Sequence, residues 1–232
     1  MELLKVNGLT KKYMTKTVLD NLDFSLEEGK IYGLLGPNAS GKTTLMKLIA
    51  GVTQPTAGNI VVNGHHIGVM TKQVVSFLPT TNHLPKWMTI GRCLSYYQDF
   101  YRDFDLKHAT ERVEFMGLNV SQKITSLSSG MLGRLKVVLA MSRQARLYLL
   151  DEPLNGLDPI SREKVLQMIL ESVREESTIL ISTHIIREIE SILDNVIFLK
   201  NGQIALAGDA EDLRLNRKMS IEELYKEVYE NA

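Results

Sequence analysis

Lys30-Ile31-Tyr32-Gly33-Leu34-Leu35-Gly36-Pro37-Asn38-Ala39-Ser40-Gly41-Lys42-Thr43-Thr44-Leu45-Met46-Lys47-Leu48-Ile49-Ala50 is the stretch whose reading decides the fold. Residues 30–35 form an apolar, β-branched run that reads as a buried strand, and residues 44–50 have helical spacing. Between them, Gly36–Thr43 fits a phosphate-binding pattern of Gly, four variable residues, Gly, Lys and Ser or Thr, in the strand–loop–helix setting that pattern needs. Glycine lets consecutive backbone N–H groups turn inward, and the following helix aims its positive N-terminal end at the same place. Lys42 is expected to reach outer phosphates and the Thr43 hydroxyl to ligand magnesium. The expected phosphate-contacting set is Gly36, Pro37, Asn38, Ala39, Ser40, Gly41, Lys42, Thr43 and Thr44.

The rest of the 232-residue chain bounds what such a loop can serve. Its length suits one large α/β domain, and 44% hydrophobic with 23% charged residues is ordinary for a globular protein. Lys plus Arg and Asp plus Glu both number 27, so the formal net charge is zero and bulk attraction to nucleic acid or anionic lipid is not expected. A single cysteine, Cys93, leaves no internal disulfide and suits a reducing compartment. No signal peptide is expected at the N-terminus, and no apolar run approaches the roughly 20 residues that cross a bilayer.

Read in order, residues 1–29 predict a β-rich entry of short pieces, with Val18-Leu19 and Phe24–Leu26 separated by Asp20-Asn21. Tyr13 stands in a polar stretch, where an aromatic by itself reads as half-buried packing. The helix after the loop is expected to stop at Gly51, and strands are expected at Asn59–Val62 and Val74–Leu78, with His65 and His66 on a solvated loop. Residues 85–144 change character. Aromatics cluster at Tyr96–Tyr101, charged helical stretches follow, and the Ser residues of Ser126–Met131 are candidate caps for a helix over Leu132–Ser142. A continuous apolar strand, Leu147–Leu150, then ends in Asp151-Glu152, and Asp158-Pro159 reads as a helix cap with proline at the first turn. Thr178–Ser182 is a third buried strand ending at Thr183-His184, followed by a helix carrying Ile185, Ile189 and Leu193. Asn201-Gly202 marks a hairpin, and Ser220–Glu223 a capping box.

Strands alternating with helices imply a mainly parallel sheet, whose ligands bind at the carboxyl ends of the strands. Three strands end in chemistry: the phosphate loop, Asp151-Glu152 and His184. An acidic pair on the same sheet edge as Gly-Lys-Thr suits metal-assisted phosphoryl transfer. Asp151 would hold magnesium, Glu152 would polarise an attacking water, and His184 would donate to the outer phosphate or position that water.

The ordered set Gly36–Thr43, Leu127-Ser128-Ser129-Gly130-Met131, Leu147–Glu152, Leu157-Asp158-Pro159 and Ser182-Thr183-His184 resembles an ATP-binding cassette (ABC) transporter ATPase over essentially the whole chain. The resemblance implies an α/β phosphate-loop NTPase fold (RecA-like), with a mainly parallel sheet core, an N-terminal antiparallel β part and a helical subdomain insertion. It implies a nucleotide-binding core over 1–84 and 145–211, a helical subdomain over 85–144 and a helical tail over 212–232. ATP and magnesium are the implied ligands. Tyr13 matches an adenine-stacking aromatic, and Ser128, Ser129 and Gly130 match a signature that contacts ATP held by a second cassette subunit, near whose interface Asp158 would lie. The implied partners are that second subunit, the same chain or a different one, and a membrane-spanning permease. The permease would be the only membrane contact, placing the chain at the cytoplasmic face of the membrane. No nucleic acid partner is implied. The stretch Lys86–Ile90 and the Gly130-Met131 wording resemble subunits tied to export of drugs, peptides or antibiotics.

Four positions depart from the family pattern. Thr80 stands where a glutamine usually links magnesium to the helical subdomain, and it is retained in the expected metal set with Thr43 and Asp151. Ser129 replaces a glycine and Met131 a glutamine in the signature. Ala39 replaces a glycine in the loop, which is tolerable at negative φ and costs roughly 1 kcal/mol or more in the left-handed region. Two other classes compete: a soluble cassette ATPase, and a nucleotide-binding regulatory module that does not hydrolyse. The intact Glu152 and His184 favour hydrolysis.

Overall fold

The computed structural model describes residues 1–230 and builds two sheets with a helical segment between strands of the second. β1 (Glu2–Tyr13) and β2 (Lys16–Glu27) form a long antiparallel hairpin, where the sequence predicts short pieces. Asp20-Asn21 does not break β2. Asn21 takes φ +50°, the ladder shifts register around it, and Leu19, Leu22 and Leu26 still reach the core. β3 (Ile31–Leu35) is buried at every position, and α1 (Lys42–Ile49) follows the loop. The helix ends at Ile49, two residues before Gly51, whose φ of +66° carries the chain out of it. β4 (Ala57–Val62) pairs with β1, and β5 (His65–His66) pairs with β4, so the two histidines form a short edge strand with exposed side chains rather than a free loop.

The second sheet gathers the remaining strands. After α2 (Val69–Val74) come β6 (Val75–Leu78), then three helices, α3 (Ile90–Phe100), α4 (Leu106–Phe115) and α5 (Ser129–Met141). The chain re-enters the sheet at β7 (Leu147–Asp151), followed by α6 (Pro159–Ser172), β8 (Thr178–Thr183), α7 (Ile186–Ile189), β9 (Asn195–Lys200) and β10 (Gln203–Asp209). Strand order is β10-β9-β3-β8-β7-β6, parallel throughout except for the β9–β10 hairpin. Asn201 and Gly202 take φ +51° and +78° in that hairpin, as the Asn-Gly signal predicts. α8 (Ala210–Arg217) and α9 (Ile221–Glu230) close the described chain. Asp209 accepts N–H groups of Glu211 and Asp212 at the start of α8.

Three expectations change. α5 begins at Ser129, three residues early, because Ser128 accepts the Met131 N–H at 3.2 Å and caps the helix there. Leu135 through Met141 are all buried, so α5 is a central helix rather than an amphipathic one. The helix expected around Ile185–Leu193 is one turn, Ile186–Ile189, with a 3₁₀ turn at Glu190–Ile192 and Leu193 extended, because the chain must enter β9 beside β3.

Arg143, 5% exposed, ties the helical segment to the sheet edge. It pairs with Asp103, donates to the carbonyls of Val75 (2.6 Å) and Gln73 (2.8 Å), and lies 4.1 Å from the Tyr101 ring centre. Among the described residues, no helix is long and apolar enough to cross a membrane.

Candidate functional site

Parallel pairing brings the ends of β3, β7 and β8 to one edge, with Leu35 opposite Thr183 and Asp151 opposite Ser182. A cavity of about 810 Å³ opens there, lined by Asn38, Ala39, Gly41, Lys42, Thr43, Thr44, Thr80, Glu152 and His184. Four turns or strand ends supply these residues, and each is placed by local chemistry.

The phosphate loop is built on close approach. A Cβ on Gly36 would lie 2.5 Å from the Leu199 carbonyl, and Gly41 takes φ +113°. Ala39 takes φ +65°, the left-handed region that disfavours an L side chain, so this departure carries a strain of about 1–2 kcal/mol. Lys42 is 6% exposed. Its Nζ donates to the carbonyls of Gly36 (2.7 Å) and Pro37 (3.1 Å), and burial pushes its pKa down against the opposing pull of Glu152 and Asp151. Thr43 and Thr44 lie on the first turn of α1, at its positive end.

Glu152 has φ +53°, a second left-handed residue at the cavity. The conformation is held by its own N–H, which donates to both the Ser182 carbonyl and the Ser182 hydroxyl at 3.1 Å. Its Oε2 lies 2.8 Å from His184 Nδ1 and its Oε1 lies 3.9 Å from Lys42 Nζ. An ionised carboxylate only accepts, so in this contact Nδ1 is the protonated ring nitrogen and Nε2 is the ring's acceptor. Ser182 also donates to Asp151 Oδ1 at 2.6 Å, while the buried Asp151 Oδ2 has no partner among the described residues.

That orphaned oxygen, with the Thr43 hydroxyl in the adjoining cavity, fits the oxygen chemistry of magnesium. Among the described residues no cluster of three or more His, Cys, Asp or Glu is arranged to hold a metal. Thr80 lines this cavity and a neighbouring one of about 240 Å³ that Asp151 also lines.

Not every expected residue joins them. Tyr13, 47% exposed with Lys11 Nζ 4.7 Å from its ring centre, is at the end of β1 and outside the lining; Lys16, Thr17 and Val18 from the start of β2 line it instead. Ser128 and Asp158 cap helices, Asp158 through the N–H and hydroxyl of Ser161, and neither lines the large cavity; nor do Ser129 and Gly130. Sequence reasoning missed Asn155, Asn201 and Gly202 in the lining and Ser182 under the acidic pair. Asn155 lay in reach, three residues past Glu152 in a Pro-Leu-Asn-Gly turn. Nothing local marked Ser182, which only strand pairing brings to Asp151.

Fold and loop together define a phosphate-loop nucleotide-binding protein. The chain belongs to the ABC transporter family: residues 19–155 match it. It is 31% identical over 219 residues to the linearmycin resistance ATP-binding protein LnrL of Bacillus subtilis, covering 91% of this chain and 70% of that one. It is 32% identical over 212 residues to the lantibiotic transport ATP-binding protein SrtF of Streptococcus pyogenes, covering 88% and 90%. A solved ATP-binding subunit of an ABC transporter superposes with a TM-score of 0.88 at 28% identity, covering 97% of this chain and 99% of that one.

Proposed function

We propose that this subunit binds ATP with magnesium, hydrolyses it, and drives a separate membrane-spanning permease that exports a drug, peptide or antibiotic. The observation that carries the hydrolytic part is Glu152, held in a strained conformation with its carboxylate between Lys42 and His184. Backbone amides of Gly36–Thr44 and the Lys42 ammonium take the phosphates; Lys42 exchanges its carbonyl partners for phosphate oxygens. Magnesium, held by Thr43 and Asp151 with Thr80 nearby, would neutralise developing phosphate charge. Glu152 accepts a proton from the attacking water, and His184 Nε2 orients that water or the outer phosphate.

Tyr13 stacks on adenine. Ser128, Ser129 and Gly130, at the start of the 13-residue α5 and outside the lining of the chain's own phosphate cavity, contact ATP bound to a second cassette subunit. Asp158 lies near that shared interface. The names of LnrL and SrtF support the export reading, which places the chain at the cytoplasmic membrane face through its permease. Residues 1–84 and 145–211 serve as the nucleotide-binding core, and 85–144 as the segment that receives the permease. Phosphate release from ATP by the purified chain tests the reading, with Glu152→Gln as control. Equal release from both proteins would overturn it.

A further inference from the structure

α5 is apolar along its buried length except at Lys136, which is 8% exposed among Leu135, Val137, Val138 and Leu139. Its Nζ donates a 2.8 Å hydrogen bond to the carbonyl of Thr80, in the loop that follows β6. Lys136, Thr80 and Ser129 share the 240 Å³ cavity with Asp151, and Thr80 also walls the phosphate cavity. Burying an ammonium against a neutral carbonyl is costly, and an apolar side chain of the same length would fill the volume without that cost. The Asp151 carboxylate lines the same cavity and supplies opposite charge there, and its Oδ2 has no hydrogen-bond partner among the described residues. A charge kept there at a cost serves position rather than packing.

We propose that Lys136 is a positioning residue that fastens α5, and with it the Ser128–Gly130 helix start, to the loop carrying Thr80. The fastening takes a backbone carbonyl, so it does not depend on which side chain occupies position 80. It therefore supplies, from the helix side, a link between the helical segment and the loop that walls the phosphate cavity. A change at the cavity that displaces the Thr80 loop is transmitted to the start of α5 through one rigid helix and one ion–dipole contact. The rate consequence rests on the hydrolytic reading above; the mechanical one does not.

The test compares the full chain with Lys136→Met and Lys136→Arg by amide hydrogen exchange and by steady-state ATP turnover. Lys136→Met is expected to speed exchange of the Thr80–Leu84 amides at least tenfold, leaving exchange in Ile31–Leu35 unchanged. It should lower kcat at least tenfold while moving KM for ATP less than threefold. Lys136→Arg, which keeps charge and donors, should restore both measures to within threefold. Unchanged exchange at Thr80–Leu84 in a folded Lys136→Met protein would overturn the proposal, as would Lys136→Arg failing as badly as Met. Should Lys136→Met not fold, Lys136→Leu, which likewise lacks a donor, takes its place with the same expectations and the same overturning results. A wild-type chain that releases no phosphate would count against the hydrolytic reading alone, because the exchange measurement would still decide the fastening.

Discussion

Glu152 Oε2 and His184 Nδ1 lie 2.8 Å apart, joining the ends of two neighbouring parallel strands across the phosphate cavity. The contact fixes the imidazole's tautomer and holds the carboxylate beside Lys42. Glu152→Gln keeps the shape but removes the proton acceptor. ATP affinity should change less than threefold while turnover falls at least a hundredfold, the range for a lost general base. Equilibrium binding and phosphate release separate the two. The same variant should accumulate an ATP-bound dimer by size exclusion, and a persistent monomer would count against a shared site.

Lys42→Met removes a buried ammonium from the loop. ATP should bind at least tenfold more weakly, measured with a fluorescent analogue. The unliganded protein gives a second, signed expectation. Burial lowers the Lys42 pKa in the folded chain, so below that value the folded state bears the cost of a charge the unfolded state solvates freely. The cost fades as pH rises from the lowered value to the ordinary 10.5. The melting temperature of Lys42→Met minus that of wild type should therefore be most positive near neutrality and shrink toward pH 10.

Ala39→Gly relieves the left-handed strain at φ +65°. Offset by the greater freedom of glycine in the unfolded chain, the net gain should be about 0.5–1 kcal/mol. A rise of about 1–4 °C in melting temperature corresponds to that gain. An unchanged or lower value would mean that the loop adopts another conformation in solution.

Tyr13 is half exposed and makes its cation–π contact with Lys11 at the surface, so Tyr13→Ala should leave stability nearly unchanged. If it stacks on adenine, ATP affinity should fall by about 1–3 kcal/mol, with inorganic triphosphate affinity unaffected. Calorimetric titration with both ligands distinguishes base stacking from a packing role.

Cys93 is fully buried in α3, and burial pushes its thiol up to about 11 from an ordinary 9.0. At pH 8 an aromatic disulfide reagent should label it only when the chain unfolds. Because the folded state holds the proton more tightly, stability is untouched below pH 9 and falls as pH rises from there to about 11. Cys93→Ala should remove that part of the alkaline decline while costing stability for the cavity it leaves.

The sequence alone was enough to place the phosphate loop, the acidic strand end, the Asp158 cap and the Asn201-Gly202 hairpin. Each is a local code: a strand–loop–helix, a cap or a two-residue turn is specified by residues that touch one another along the chain. It left open the sign of φ at Ala39, which the structure sets at +65°. It did not foresee the length of the β1–β2 hairpin, which runs through several register shifts while β1 also pairs with β4. The Ser182 support under Asp151, the Lys136 link to Thr80 and the Glu152–His184 contact join residues 31, 56 and 32 positions apart. Only tertiary structure decided these, because parallel strands pair through crossovers rather than turns and their register is set by burial on both faces of the sheet.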